Sequence, residues 1–209
     1  MTLTRAIETK QRRSQRTLEH ILEAAEELLQ DRDFDRLTMA ELAEHAGCAV
    51  GTLYGRIPNK DSLLACLYER LDRQIQEQVG NMVAASAGLG LEERVTLVCG
   101  VAVDFLLATR GVNRAVTLHL WSRPDDEFGF RRKSTTNFKQ ATAFLAECKD
   151  EIAHPNARDA CEFGLLTVSA MAQDRLLFGD RSGIQLRYSG RALKQGLTSL
   201  LLAYLRTPA

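Results

Sequence analysis

Residues 37–60 read LTMAELAEHAGCAVGTLYGRIPNK, and this stretch decides the fold. Thr38 is placed to cap a helix, and Glu41, three positions on, is placed to reach back to the cap's own N–H, the reciprocal arrangement of a capping box. Leu37 before the cap and Leu42 after it can close as a hydrophobic staple. Met39, Leu42, Ala43 and Ala46 fall on one helical face, and Gly47 offers the left-handed exit a helix end requires. A second helix is expected over residues 49–56, because Pro58 disfavours helical geometry at Ile57. Asn59 then caps a third helix beginning at Lys60. Two helices joined by a short turn containing glycine is the helix-turn-helix plan, which sets its second helix in a DNA major groove.

Composition bounds the rest. The chain has 209 residues, long enough to bury most of its unfolded surface in one domain or two. Lys+Arg and Asp+Glu both number 27, so net charge favours no partner. Distribution says more: through Arg16 the cations Arg5, Lys10, Arg12, Arg13 and Arg16 face only Glu8, giving 5 − 1 = +4. A basic arm of this kind suits phosphate contacts, and equally a solvated terminus. Arg5, Glu8 and Lys10 interrupt any apolar core of a secretory signal, and the apolar run 95–108 contains Asp104 and is too short to span a bilayer. Cys48, Cys66, Cys99, Cys148 and Cys161 form no C-x-x-C pair, so a reduced, cytoplasmic protein without membrane, metal or cofactor is expected.

Helical periodicity runs the length of the chain, and strand-like alternation is almost absent, which predicts an all-α fold. Leu18, Ile21, Leu22, Ala25, Leu28 and Leu29 form the apolar face of a first helix. After the two short helices, a fourth runs from Asn59 past Val79 toward Gly88. A fifth covers 91–109, a sixth 112–121, a seventh 127–153 and an eighth 156–178. A polar loop over 179–183 leads to a ninth over 185–206.

The runs ILEAAEELL (21–29), LTMAELAEHAG and GTLYGRIPNKDSLL (51–64) resemble the tetracycline-repressor (TetR) family of one-component regulators. That resemblance implies an N-terminal three-helix DNA-binding domain over 14–60, with the motif at about 38–57. A larger helical domain for regulation and dimerisation then fills 61–209. It also implies that Thr38, Thr52, Tyr54 and Lys60 contact phosphates of operator DNA. Ala49, Val50, Gly51 and Thr52 have the small or apolar character a recognition helix needs to approach base edges, and Arg56 is the candidate for guanine. The chain departs from the family at Cys48-Ala49-Val50, where the turn lacks a hydroxyl, and at Gly55, where a larger residue is usual. Both departures bear on which operator is read.

A homodimer is expected, since one head buries too little surface for tight specific binding. The candidate interface residues are Leu165, Val168 and Ala172 on the eighth helix and Leu193, Leu197, Leu200 and Leu201 on the ninth; the alternative is that both stripes are the chain's own core. For a small-molecule effector, Asp104 and His119 interrupt apolar faces and are candidate ligand residues with Phe105, Trp121, Phe144 and Met171. The functional expectation is a transcriptional regulator, a repressor released by a small molecule, and not an enzyme. Two alternatives stand beside it: a ligand-binding or scaffold module of the same fold without operator binding, and a helical enzyme using Asp104, His119 and Cys99 or Cys148.

Overall fold

The computed structural model describes residues 2–123, 125, 128–179 and 188–208, with side chains from residue 14 onward. Among the described residues there are nine α-helices, two short 3-10 turns and no strand: α1 (Thr2–Asp31), α2 (Met39–His45), α3 (Val50–Tyr54), α4 (Lys60–Ala84), α5 (Leu91–Ala108), α6 (Arg110–Ser122), α7 (Phe130–Ala146), α8 (Ala157–Leu177) and α9 (Gly190–Arg206). The order matches the sequence expectation; several ends do not. α3 stops at Tyr54, and α7 ends at Ala146 instead of running to 153. Past α7 the Glu151 carboxylate accepts from the first N–H of α5 at 2.9 Å, and Ala153 donates to the Leu205 carbonyl at 2.8 Å. Those tertiary bonds draw the chain off the helical axis. The expected start of α7 at 127, the polar loop over 180–183 and the start of α9 at 185 lie outside the described residues.

Two hydrophobic cores follow from the apolar stripes. The first gathers Ile21, Leu22, Ala25 and Leu29 of α1, Leu42 of α2, Leu53 of α3 and Leu63, Leu64 and Leu67 of α4, all buried. It reaches further along the chain, taking in Val112, Ala115 and Val116 of α6 and Phe130 of α7. The second packs α5 against α7, α8 and α9 through residues such as Val95, Val103, Leu145, Leu165 and Leu201, with Met82 from the far end of α4. α4 therefore contributes to both cores, and at about 1.5 Å per residue its 25 residues span roughly 37 Å.

α6 is the second tie between them. It leaves α5 at a bend of 89° and drives its first turn against α1. The fit there is backbone on backbone: a β-carbon at Gly111 would lie 2.1 Å from the Leu29 carbonyl oxygen. Arg114, only 5% exposed, pairs with Asp33 at 3.5 Å and donates to the Arg32 carbonyl at 3.3 Å. At the other end of α6 Arg123 meets Asp61, in the first turn of α4, at 3.1 Å. Arg70 of α4 holds Glu19, Glu23 and Glu26, which share one face of α1. In these ways the N-terminal helices are anchored to α4 and α6 together.

Candidate nucleic-acid interface

The first helix of the motif is fixed at both ends by its own sequence. Thr38 Oγ1 accepts from the Glu41 N–H at 3.2 Å, and Glu41 Oε2 accepts from the Thr38 N–H at 3.0 Å, so the capping box forms. These bonds to Thr38 are the first cause that holds the Glu41 carboxyl below its usual pKa. At the exit Gly47 sits at φ +61°, Cys48 donates to Ala43 O at 2.9 Å and Gly47 to Glu44 O at 3.1 Å. That bond pair is the Schellman closure, and only a left-handed residue allows it.

The turn aims α3 outward. Leu53 and Ile57 are fully buried and pin the short helix to α1 and α2, while Ala49, Val50, Gly51, Thr52 and Tyr54 are exposed. Val50 at 44% and Tyr54 at 48% are large groups left in water with no intramolecular reason to be there. A β-carbon at Gly51 would touch nothing within 4 Å, so the space over this first turn is open. Arg56 behaves differently: it is half-buried and its guanidinium donates to Ser14 of α1, which ties it to the head instead of leaving it among the exposed residues.

Thr38, Tyr54 and Lys60 come together around one surface groove of about 490 Å³, which Pro58 and Asn59 also border. Two helices begin at this groove, α2 after Thr38 and α4 after Asn59, whose Oδ1 accepts from the Ser62 N–H at 2.7 Å. The first N–H groups of a helix lack intrahelical partners and attract anions, so the groove suits a phosphate. Lys60 is partly engaged within the head, donating to the Phe34 and Asp35 carbonyls at 2.6 and 3.0 Å while lying over the Phe34 ring. It therefore fastens the 3-10 turn before α2 as well as bringing positive charge to the groove. The sequence did not single out Asn59 and Pro58 as groove residues, although the PNK run carried that signal.

Residues 21–67 match the family model described as bacterial regulatory proteins, tetR family. This N-terminal stretch of the chain is similar to the tetR family. The proteins of that family are described as bacterial regulators. Solved structures extend the likeness of fold over most of the chain. A bacterial regulatory protein of the tetR family from Rhodococcus RHA1 shares 16% identity over 90% of this chain and 96% of its own, with a TM-score of 0.66. The MbdR regulator of Azoarcus sp. CIB gives 16%, 89%, 97% and 0.65 in the same order. FadR of Bacillus subtilis, solved in complex with stearoyl-CoA, gives 18%, 89%, 98% and 0.62. No curated protein matches the chain.

In the C-terminal part of the chain, the residues singled out from sequence scatter. Phe105 lines an apolar-walled cavity of about 500 Å³ between α4, α5, α7 and α8. Asp104 points elsewhere, into an acidic cleft of about 680 Å³ beside α1, where Lys194 meets it at 2.6 Å. His119 lies beside the rings of Phe128 and Phe130, and Phe144 is buried under the Arg94 guanidinium. Trp121, 73% exposed, stacks on Phe178, and Met171 is exposed on α8. None of these last four borders the apolar cavity. Two of its polar members, Asp72 on α4 and Asn137 on α7, carry no sequence signal of a site, although each interrupts an inward-facing stripe.

The apolar stripes of α8 and α9 are likewise displaced from expectation. Leu165, Val168, Ala172, Leu193, Leu197 and Leu201 are buried inside the chain, where a partner subunit has no access to them; only Leu200 of the set is exposed. The two helices touch each other through Gly164, whose missing side chain makes room for Leu201 and Tyr204. What they turn outward is Phe163 and Leu166, 60% and 59% exposed, with Ala170 on α8 and Gly196, Leu200 and Ala203 on α9.

Proposed function

We propose that this protein is a tetR-family regulator, a dimeric, cytoplasmic repressor that binds operator DNA through α3 and is released by a small molecule held between α4 and α8. The carrying observation is the exposed α3 turn, 49–52, flanked by the groove where Thr38, Tyr54 and Lys60 converge. In the complex α3 enters the major groove, Val50 and the Thr52 methyl press on thymine methyls, and the groove seats a backbone phosphate. Residues 14–60 form the reading head and 61–209 the regulatory body. Arg56 must leave Ser14 to reach guanine, so its share in specificity is smaller than that of the first turn.

Dimerisation uses the outward face of Phe163, Leu166, Gly196 and Leu200. These residues form an i, i+3, i+4 pattern on two adjacent helices, and pairing with its own copy gives a four-helix bundle. Such a pair presents two heads to half-sites about 34–36 Å apart, or a multiple of that spacing. Release follows from linkage. A molecule in the apolar cavity contacts α4, which is also part of the head's core, and so favours one head spacing over another by its differential affinity. An acyl-CoA, as FadR carries, brings phosphates for which the described cavity wall supplies no Lys, Arg or His.

Fluorescence anisotropy against the chain's own upstream DNA tests the reading. Specific binding at least about a thousandfold tighter than random duplex, falling steeply with salt, is expected. Tyr54→Ala weakens DNA binding and leaves the cavity untouched. Binding no tighter than random duplex points to a ligand-binding module that retains only the fold.

A further inference from the structure

The apolar cavity of about 500 Å³ is walled by side chains such as Leu71, Ile75, Phe105 and Phe138, and that volume lies in the usual range for a small-molecule site. A polar seam runs where α4 faces α7, and Asn113 of α6 with Ser169 and Gln173 of α8 add neutral polar groups elsewhere on the wall. Along α4, Tyr68, Asp72 and Gln76 recur every fourth residue and so share a face. Opposite them on α7 stand Ser134 and Asn137. Tyr68 bonds Ser134 at 3.0 Å and the Phe130 carbonyl at 2.9 Å, while Asn137 accepts from Gln76 and donates to Asp72 Oδ1 at 3.0 Å. Asn137 is 8% exposed and, with both its amide oxygen and nitrogen engaged, is held in one orientation.

Asp72 is the charged group on the described wall of this cavity, and it forms no ion pair with a described residue. The larger acidic cleft makes an instructive contrast. Three of its five carboxylates meet a permanent cation, Glu23 and Glu26 at Arg70 and Asp104 at Lys194, and Glu27 bonds His45 at 2.9 Å. In the apolar cavity one carboxylate is supported by a neutral amide alone. A charge placed against apolar walls is costly unless a counter-charge reaches it, and an anionic guest would add repulsion to that cost.

The geometry points to a monocationic ligand with an apolar body, an amine whose ammonium pairs with Asp72 while its hydrocarbon fills the space toward Phe105 and Phe138. The inference rests on the reading of this cavity as the effector site and adds the ligand's chemical class. It also supplies a lever. Asp72 lies 12 residues along α4 from Lys60, about 18 Å from the start of that helix, so a force on the carboxylate acts on the rod that carries the head.

Isothermal calorimetry on the full-length protein at pH 7 tests this with three probes sharing one body: 4-phenylbutylamine, 4-phenylbutanol and 4-phenylbutyrate. The amine is expected to bind at least about tenfold tighter than the alcohol, the worth of one charge-assisted hydrogen bond, and the carboxylate most weakly. Asp72→Asn brings amine and alcohol to equal affinity. The wild-type ranking needs no variant, so a misfolded Asp72→Asn leaves the test intact. Equal or tighter binding of the carboxylate overturns the inference, as does an amine affinity unchanged in a folded Asp72→Asn, or no binding by any of the three. DNA release is measured separately by anisotropy: an amine that binds without releasing DNA upholds the cavity chemistry and sinks the regulatory reading.

Discussion

Replacing Gly111 by alanine probes the joint between head and body with a single methyl group. The added carbon would sit 2.1 Å from the Leu29 carbonyl oxygen and 2.5 Å from its carbon. Separations below 3.0 Å are not tolerated, so α6 must retreat from α1 by about 1 Å. Neither side can swing aside, since both contacts are backbone. Retreat also loosens Val112, Ala115 and Val116 from the head's core. Overpacking of this kind costs about 1–3 kcal/mol, and a backbone clash places the cost near the upper end. Removing a helical glycine returns at most about 1 kcal/mol. A net loss of about 2 kcal/mol lowers the melting temperature of a chain this size by about 4–8 °C. Thermal unfolding followed by circular dichroism measures it, with Gly80→Ala as the control, because a β-carbon there meets nothing within 4 Å. The control should melt at or above the wild-type temperature. A Gly111→Ala protein melting with the control would refute the close contact between α6 and α1.

Three further outcomes are expected. Burial first, with Glu23 and Glu19 adding to it, raises the Glu26 carboxyl above its ordinary 4.5 against the opposing pull of Arg70. The folded state therefore prefers the protonated form, and Glu26 weakens the fold as pH climbs through its raised value. Glu26→Gln should melt higher than wild type at pH 7, and the gap should close by about pH 4; a gap that widens in acid contradicts the assignment. Burial also pushes the Cys99 and Cys161 thiols up to about 11, so both should resist a thiol reagent at pH 8 until the protein unfolds. Rapid modification of either in the folded protein counts against their burial. Leu166→Glu should convert the dimer to a folded monomer by light scattering, whereas an unchanged mass removes the outward α8–α9 face from the interface.

The motif at 37–60 was legible because its information is local. Capping residues, a glycine needing positive φ and a proline stop each act within a few positions, and the structure forms those bonds among the same residues. Helix number was legible for a similar reason, since every apolar stripe repeats within its own helix. Contacts distant in sequence were not legible. Nothing near Gly111 announces that Leu29 lies against it, and Glu151 and Ala153 end α7 through partners some 60 and 52 residues away. The stripe on α8 and α9 was visible, but which half of it faced inward depended on Gly164 accepting Leu201. Asp72 was hidden because a polar residue in an inward stripe reads the same whether it meets a neighbour, water or a ligand.

The central claim is that the first turn of α3 lies open to enter duplex DNA, and Gly51→Glu tests it most directly. A side chain at this position has free space and glutamate favours a helix, so the variant should fold and melt no lower than wild type. Its carboxylate would face the bases and phosphates. Anisotropy titration against the upstream operator should show specific binding lost, with affinity no better than for random duplex. A folded Gly51→Glu protein that still binds the operator as tightly as wild type would contradict the account.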